Sequence, residues 1–153
     1  MPSDKFNRSM AVKRSPEECW AVLTDVSRVA GWVTVVGEVE EIEHLQTYGA
    51  VLHDEFGPFK LNADLSIEVT DLEEGRAIRF KAKGTDRQVS TNISVDASLR
   101  LQPAEGGTTI EVDGQWTVIG TVATMGAGTI RKKAETIIEE FFGSAGDELG
   151  AQP

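Results

Sequence analysis

The apolar residues of this chain change their spacing once. From about residue 59 to residue 118 they recur at every second position, and from Ile119 onward they recur every three or four. A period of two places alternate side chains on the two faces of a strand, whereas steps of three and four line up on one face of a helix. Leu61, Ala63, Leu65, Ile67 and Val69 share one side of a strand, with Asn62, Asp64, Ser66 and Glu68 opposite. The same alternation runs through Ile78, Phe80 and Ala82, through Ile93 to Leu101, and through Ile110, Val112, Gly114, Trp116 and Val118. Strands with one apolar and one polar face belong to an antiparallel sheet wetted on one side. Turn signals at Gly57-Pro58, Glu73-Glu74-Gly75 and Glu105-Gly106-Gly107, with a polar loop over 84–88, predict hairpin connections. Segments 35–42 and 48–56 read as two further strands.

Upstream, Phe6, Arg8, Met10 and Val12 fall on one side of a strand over 5–13. Ser15, Pro16 and Glu18 then form a capping box with proline at the first helical position, which starts a short helix burying Trp20, Leu23 and Cys19. Asp25-Val26-Ser27 caps a second short turn reaching Gly31. At the other end, Ile119, Ala123, Gly126, Ile130, Ala134, Ile137 and Phe141 make one helical stripe, widened by Val122, Ile138 and Phe142. Arg131, Lys132, Glu135, Glu139 and Glu140 occupy the opposite face. Gly120, Gly126 and Gly128 delay the helix start, and Gly143 to Gly146 weaken its end. The expected architecture is α+β: a curved antiparallel sheet of six to seven strands, two short helices after the first strand, and one long C-terminal helix. One domain spans 1–149, with a disordered tail over 150–153.

The formal net charge of −10 and pI near 4.6 disfavour nucleic acid, which selects basic surfaces. A single cysteine allows no internal disulfide. Met1 to Lys5 lacks the signature of a secretory signal, and no apolar run is long enough for a membrane span. A cytoplasmic protein is the expectation.

Little in the sequence points to catalysis. His44 and His53 have no metal-ligand spacing around them and read as exposed. There is no nucleophile elbow and no phosphate-binding loop. Gly126-Ala127-Gly128 at a helix start reads as close helix–sheet packing. Asp54 and Glu55 interrupt an apolar strand. The favoured reading is an edge or bulged strand that leaves both acids in water; the alternative turns one inward, where a carboxylate can act as acid or base. Arg131-Lys132-Lys133 reads as a solvated helix face, with a lipid headgroup or an acidic partner as the alternative.

The segment Pro16 to Asp25, containing Pro-x-x-x-Trp-x-x-Leu-x-Asp, resembles the helix-grip superfamily, also called START-like, SRPBCC or Bet v 1-like. Gly57-Pro58-Phe59, Gly107-Thr108-Thr109, the Gly120–Ala123–Gly126 spacing and the terminal Phe141-Phe142 are similar to the CoxG family of carbon monoxide dehydrogenase proteins. Where that family usually has Ile-Pro-Gly, this chain has Val29-Ala30-Gly31-Trp32-Val33. The resemblance implies a non-enzymatic carrier with no covalent cofactor and no metal. Its ligand would be an isoprenoid quinone such as menaquinone, or another lipid. It would serve a molybdenum-containing carbon monoxide dehydrogenase, with peripheral contact at the inner face of the cell membrane. The expected apolar cavity is lined by Trp32, Phe56, Phe80, Leu99, Ile110, Val112 and Trp116 on one side. Val122, Ala123, Gly126, Ile130, Ala134, Ile137 and Phe141 line it on the other. The competing reading is that these residues fill a solid core. The alternatives in function are a polyketide cyclase/dehydratase-like enzyme and a ligand-free docking module.

Overall fold

Seven strands follow the alternating segments, and each pairs antiparallel with its neighbours in the order β1-β7-β6-β5-β4-β3-β2. The computed structural model describes residues 3–151. Its elements are β1 (Ser3–Val12), α1 (Pro16–Leu23), α2 (Val26–Ala30), β2 (Val36–Glu43), β3 (Thr47–Phe56), β4 (Phe59–Glu73), β5 (Ala77–Asp86), β6 (Thr91–Ala104) and β7 (Gly107–Gly120). A 3-10 turn (Thr121–Met125) then leads into α3 (Ala127–Leu149). The first strand joins the last: Phe6 pairs with Gly114, Arg8 with Val112 and Met10 with Ile110. β1 and β2 are therefore the two edges of the sheet, and α1 and α2 carry the chain from one edge to the other.

The capping box forms as its residue types require. The Glu18 amide donates to Ser15 Oγ at 3.2 Å, Ser15 Oγ donates to Glu18 Oε1 at 3.2 Å, and Arg14 closes on Glu18 Oε2 at 3.1 Å. Asp25 caps α2 through the Arg28 amide. α1 buries Cys19 and Leu23 against Leu99, Leu101 and Ile110, and Leu149 from α3 closes the same core. A second core gathers Phe56, Leu61, Ala63, Trp116, Val118, Val122 and Ile130 at the other end of the sheet.

Three expectations need correction here. The segment 84–88 is not all loop, because β5 continues through Asp86. Gly84 pairs with Leu65 on β4, and a Cβ at Gly84 would stand 2.5 Å from Leu65 Cδ2, so glycine here marks a close approach. The glycines over 143–146 do not interrupt α3, which runs to Leu149. Gly150 and Ala151, expected in the tail, are tied to β1: the Lys13 amide donates to the Gly150 carbonyl at 2.8 Å, and Ala151 bridges Val12. Gln152 and Pro153 lie outside the described residues.

Asp86 explains why the β5–β6 turn holds. It is 5% exposed, and its carboxylate accepts from the Asn62 amide at 2.7 Å, the Gln88 amide at 2.9 Å and the Val89 amide at 3.4 Å. The β4–β5 ladder ends at Asp64–Thr85, so the side chain supplies the acceptor that the Asn62 amide lacks beyond it. These donors, Asn62 foremost, hold the Asp86 carboxyl below its ordinary value of 3.8. Asp86→Ala leaves buried donors unmatched and is expected to cost about 2–4 kcal/mol, read as a lower urea midpoint. A carboxyl depressed in the folded state contributes stability that is complete above its unfolded value and lost as pH falls through the folded one. The gap between wild type and Asp86→Ala should therefore be widest near neutrality and narrow below about pH 4.

Candidate functional site

The burial of α3 is uneven along its length. Ile130 at its start is buried, and Phe142, Ala145 and Leu149 near its end are buried. Between them, Lys133, Ala134, Ile137, Ile138 and Phe141 are only half-buried, although they continue the inward stripe. Among the strands, the helix backbone runs closest to β1, at one edge of the sheet. On the inward face of the interior strands, Ile67 and Val69 of β4 and Phe80 of β5 also stay half-buried. The two cores have no residue in common. Helix and sheet are thus packed tightly at both ends of α3 and loosely between, where apolar side chains face each other with surface left uncovered.

The loose stretch has chemically distinct ends. At one end, Phe141 packs against Trp32 with ring centroids 5.7 Å apart and meets Phe142 edge-on at 5.2 Å. Trp32 lies between α2 and β2, and that segment is pinned to α3 by Thr34 bonding Glu140 and by Arg28 Nε donating to Glu148 Oε1 at 2.7 Å. At the other end, Lys133 Nζ donates to Asp54 Oδ1 at 3.0 Å and sits 5.2 Å from the centroid of the Phe56 ring. Lys133 and Phe141 are eight residues apart on α3, about 12 Å at a rise of 1.5 Å per residue.

The pair Asp54–Lys133 corrects two sequence expectations. β3 is neither an edge nor bulged against β4: it pairs with β4 in unbroken register from Thr47–Glu68 to Phe56–Phe59. Regular pleating then turns Asp54 inward beside Phe56 and leaves Glu55 exposed. The Asp54 side chain is 13% exposed. The basic run also splits. Arg131 is exposed and pairs with Asp4 at 3.0 Å, Lys132 is exposed, and Lys133 turns inward. The signal was present in the spacing, since Lys133 follows Ile130 by three and precedes Ile137 by four.

The residues expected to line a cavity divide into three groups. Phe56, Leu99, Ile110, Trp116, Val122 and Ile130 are buried in the two end cores. Trp32, Phe80, Val112, Ala123, Ala134, Ile137 and Phe141 are half-buried. Gly126 is exposed, with open space where a Cβ would stand, as it would at Gly128. The close helix–sheet packing expected of Gly126-Ala127-Gly128 is therefore absent. Gly126 has φ 99° at the junction of the 3-10 turn with α3, a conformation glycine adopts without strain. The inward residues Ile67 and Val69 were assigned to the apolar face of β4 but not to the site, because period two names a face and not a position under the helix.

The outer face of the sheet offers different chemistry. A depression of about 600 Å³ is lined by Lys5, Asn7, Arg79, Asp96, Ser98, Arg100, Asp113 and Gln115. Ion pairs cross it, Arg79 gripping Asp96 through two bonds of 3.1 Å and Arg100 reaching Glu111 at 2.8 Å. Such a surface suits water and not an apolar ligand. His44 bonds Glu41, and His53 bonds Asn62, both on exposed positions. Among the described residues, no three His, Cys, Asp or Glu side chains converge, and no helix is long and apolar enough to cross a membrane.

The fold has many solved counterparts. A conserved protein from Geobacillus kaustophilus superposes with a TM-score of 0.82 at 23% identity, covering 97% of this chain and 98% of that one. The Zhui aromatase/cyclase from Streptomyces sp. R1128 gives 0.62 at 14% identity, over 94% and 93% of the two chains. Ara h 8.0201 gives 0.59 at 12% identity, over 94% and 97%. These identities establish the helix-grip fold alone. No curated protein matches the sequence. The family model of the carbon monoxide dehydrogenase protein CoxG matches residues 9–149.

Proposed function

The chain belongs to the CoxG family of carbon monoxide dehydrogenase proteins, and from that membership we propose that it carries one apolar small molecule between α3 and the sheet. The ligand is an isoprenoid quinone or another lipid. As an accessory to a molybdenum-containing carbon monoxide dehydrogenase, the protein would move that molecule between the enzyme and the membrane. The observation that carries the reading is the loosely packed stretch from Lys133 to Phe141, where apolar surface on helix and sheet is uncovered. Covering it stabilises a complex by about 25 cal/mol per Å², so an isoprenoid tail that buries roughly 200 Å² gains about 5 kcal/mol. The half-buried side chains on both walls adjust by rotamer changes and small shifts of α3, which is packed tightly only at its ends.

Organic extraction of protein purified without detergent tests this. A quinone or lipid released in about one-to-one ratio with the chain supports a carrier; an extract without lipid, from protein that also takes up none when supplied, contradicts it.

A second reading has one observation in its favour. Asp54 places a carboxylate on the inward face, as a cyclase-type proton transfer needs, and the fold is shared with an aromatase/cyclase. Turnover of a polyketide-like substrate that is lost in Asp54→Asn would support that enzyme. Absence of turnover by the parent protein removes it.

A further inference from the structure

We propose that Lys133 and Asp54 form a headgroup subsite, and that the ligand is an amphiphile with a long apolar chain and an uncharged, carbonyl-bearing head. This rests on the carrier function proposed above and specifies its ligand. The pair occupies one end of an otherwise apolar stretch, and the aromatic contact of Trp32 with Phe141 closes the other. An apolar tail fits between them, and its polar end has one place to go.

Stability does not explain the pair. Removing two charges from water costs free energy that their attraction repays only in part, and partly exposed pairs contribute little. Regular pleating would accept an apolar residue at position 54, and the helical stripe would accept one at 133. The chemistry of the two groups selects the head. An ammonium has three N–H donors and no acceptor. One donor goes to Asp54 Oδ1, an oxygen that also accepts from the Glu55 amide at 2.8 Å. The ammonium lies over the Phe56 ring, on the side of the apolar core. A carbonyl oxygen arriving from the recess can accept a charge-assisted hydrogen bond from it. Asp54 neutralises Lys133, so the subsite has no net charge. A carboxylate head would be repelled by Asp54 and a cationic head by Lys133. An uncharged acceptor meets neither penalty, which separates a quinone-like head from a fatty acid.

The test compares three probes on the full chain: menaquinone-4, the hydrocarbon squalene and geranylgeranoic acid. Wild type is expected to bind menaquinone-4 about tenfold more tightly than either other probe, the value of one hydrogen bond to a charged group. Lys133→Met should remove that advantage and leave squalene affinity unchanged; retained squalene binding also certifies the fold. The double variant Asp54→Asn/Lys133→Met should behave like Lys133→Met, which excludes an effect of leaving a lone carboxylate. An advantage that persists in Lys133→Met overturns the subsite, as does tighter binding of the carboxylate by wild type. A wild type that binds menaquinone-4 and squalene equally remains a carrier without this subsite. A wild type that binds none of the three is no carrier, and the subsite falls with that function.

Discussion

Ile137→Trp is expected to lower the affinity for an isoprenoid quinone by roughly a hundredfold, equivalent to losing about 100 Å² of apolar contact. Ile137 is half-buried midway between Lys133 and Phe141, on the helical face that looks at β4 and β5. An indole there would occupy the uncovered stretch from the helix side, in the place of the ligand. The loose packing that admits a ligand also admits the larger side chain, so the fold should survive with a melting temperature within a few degrees of wild type. This distinguishes the site from a solid core, where enlarging a buried side chain costs typically 1–3 kcal/mol. A strongly destabilised Ile137→Trp would mean that the interior is already full. Native mass spectrometry with added quinone reads the first effect, and thermal unfolding reads the second.

Phe142→Ala should produce the opposite pattern, with a loss of about 3–5 kcal/mol of stability. Phe142 is 1% exposed, meets Phe141 edge-on, and lies beneath the Arg8 guanidinium at 5.1 Å from its ring centroid. It therefore ties the C-terminal half of α3 to β1, where the helix backbone runs closest to the sheet. A domain of this size has about 5–15 kcal/mol in total, so the variant forfeits a large fraction. A urea midpoint close to wild type would show that α3 is not anchored there. Ligand binding measured well below the unfolding transition should fall much less than in Ile137→Trp, because Phe142 lies beyond the loose stretch.

The strands were legible because one face of nearly every one is wet, which writes a period of two into the chain. The register of β1 with β7 brought Phe6, Arg8 and Met10 opposite Gly114, Val112 and Ile110, as their shared side implied. The capping box at Ser15 and Glu18 marked the start of α1 because orphan amides there need a side-chain acceptor. What escaped the sequence was tertiary. Asp86 sits in a polar stretch that reads as loop, and only the end of the β4–β5 ladder reveals a donor on another strand in need of it. Lys133 stands within a basic run, and its inward turn follows from helical phase more than from composition. Its partner Asp54 is 79 residues away in sequence, so neither residue announces the other. Gly126 continued the apolar stripe by spacing, but the helix begins only after it. Whether large apolar residues fill or line an interior depends on how far α3 stands from the sheet, and periodicity does not encode that distance.

Tryptophan fluorescence under quinone titration reaches the main issue most directly, because Trp32 and Trp116 both lie on the inward side while free quinone quenches only by collision. Binding in the recess predicts quenching of the wild-type protein that saturates at one quinone per chain. Quenching that rises linearly without saturation, as it does for free tryptophan in solution, would show that helix and sheet enclose no ligand.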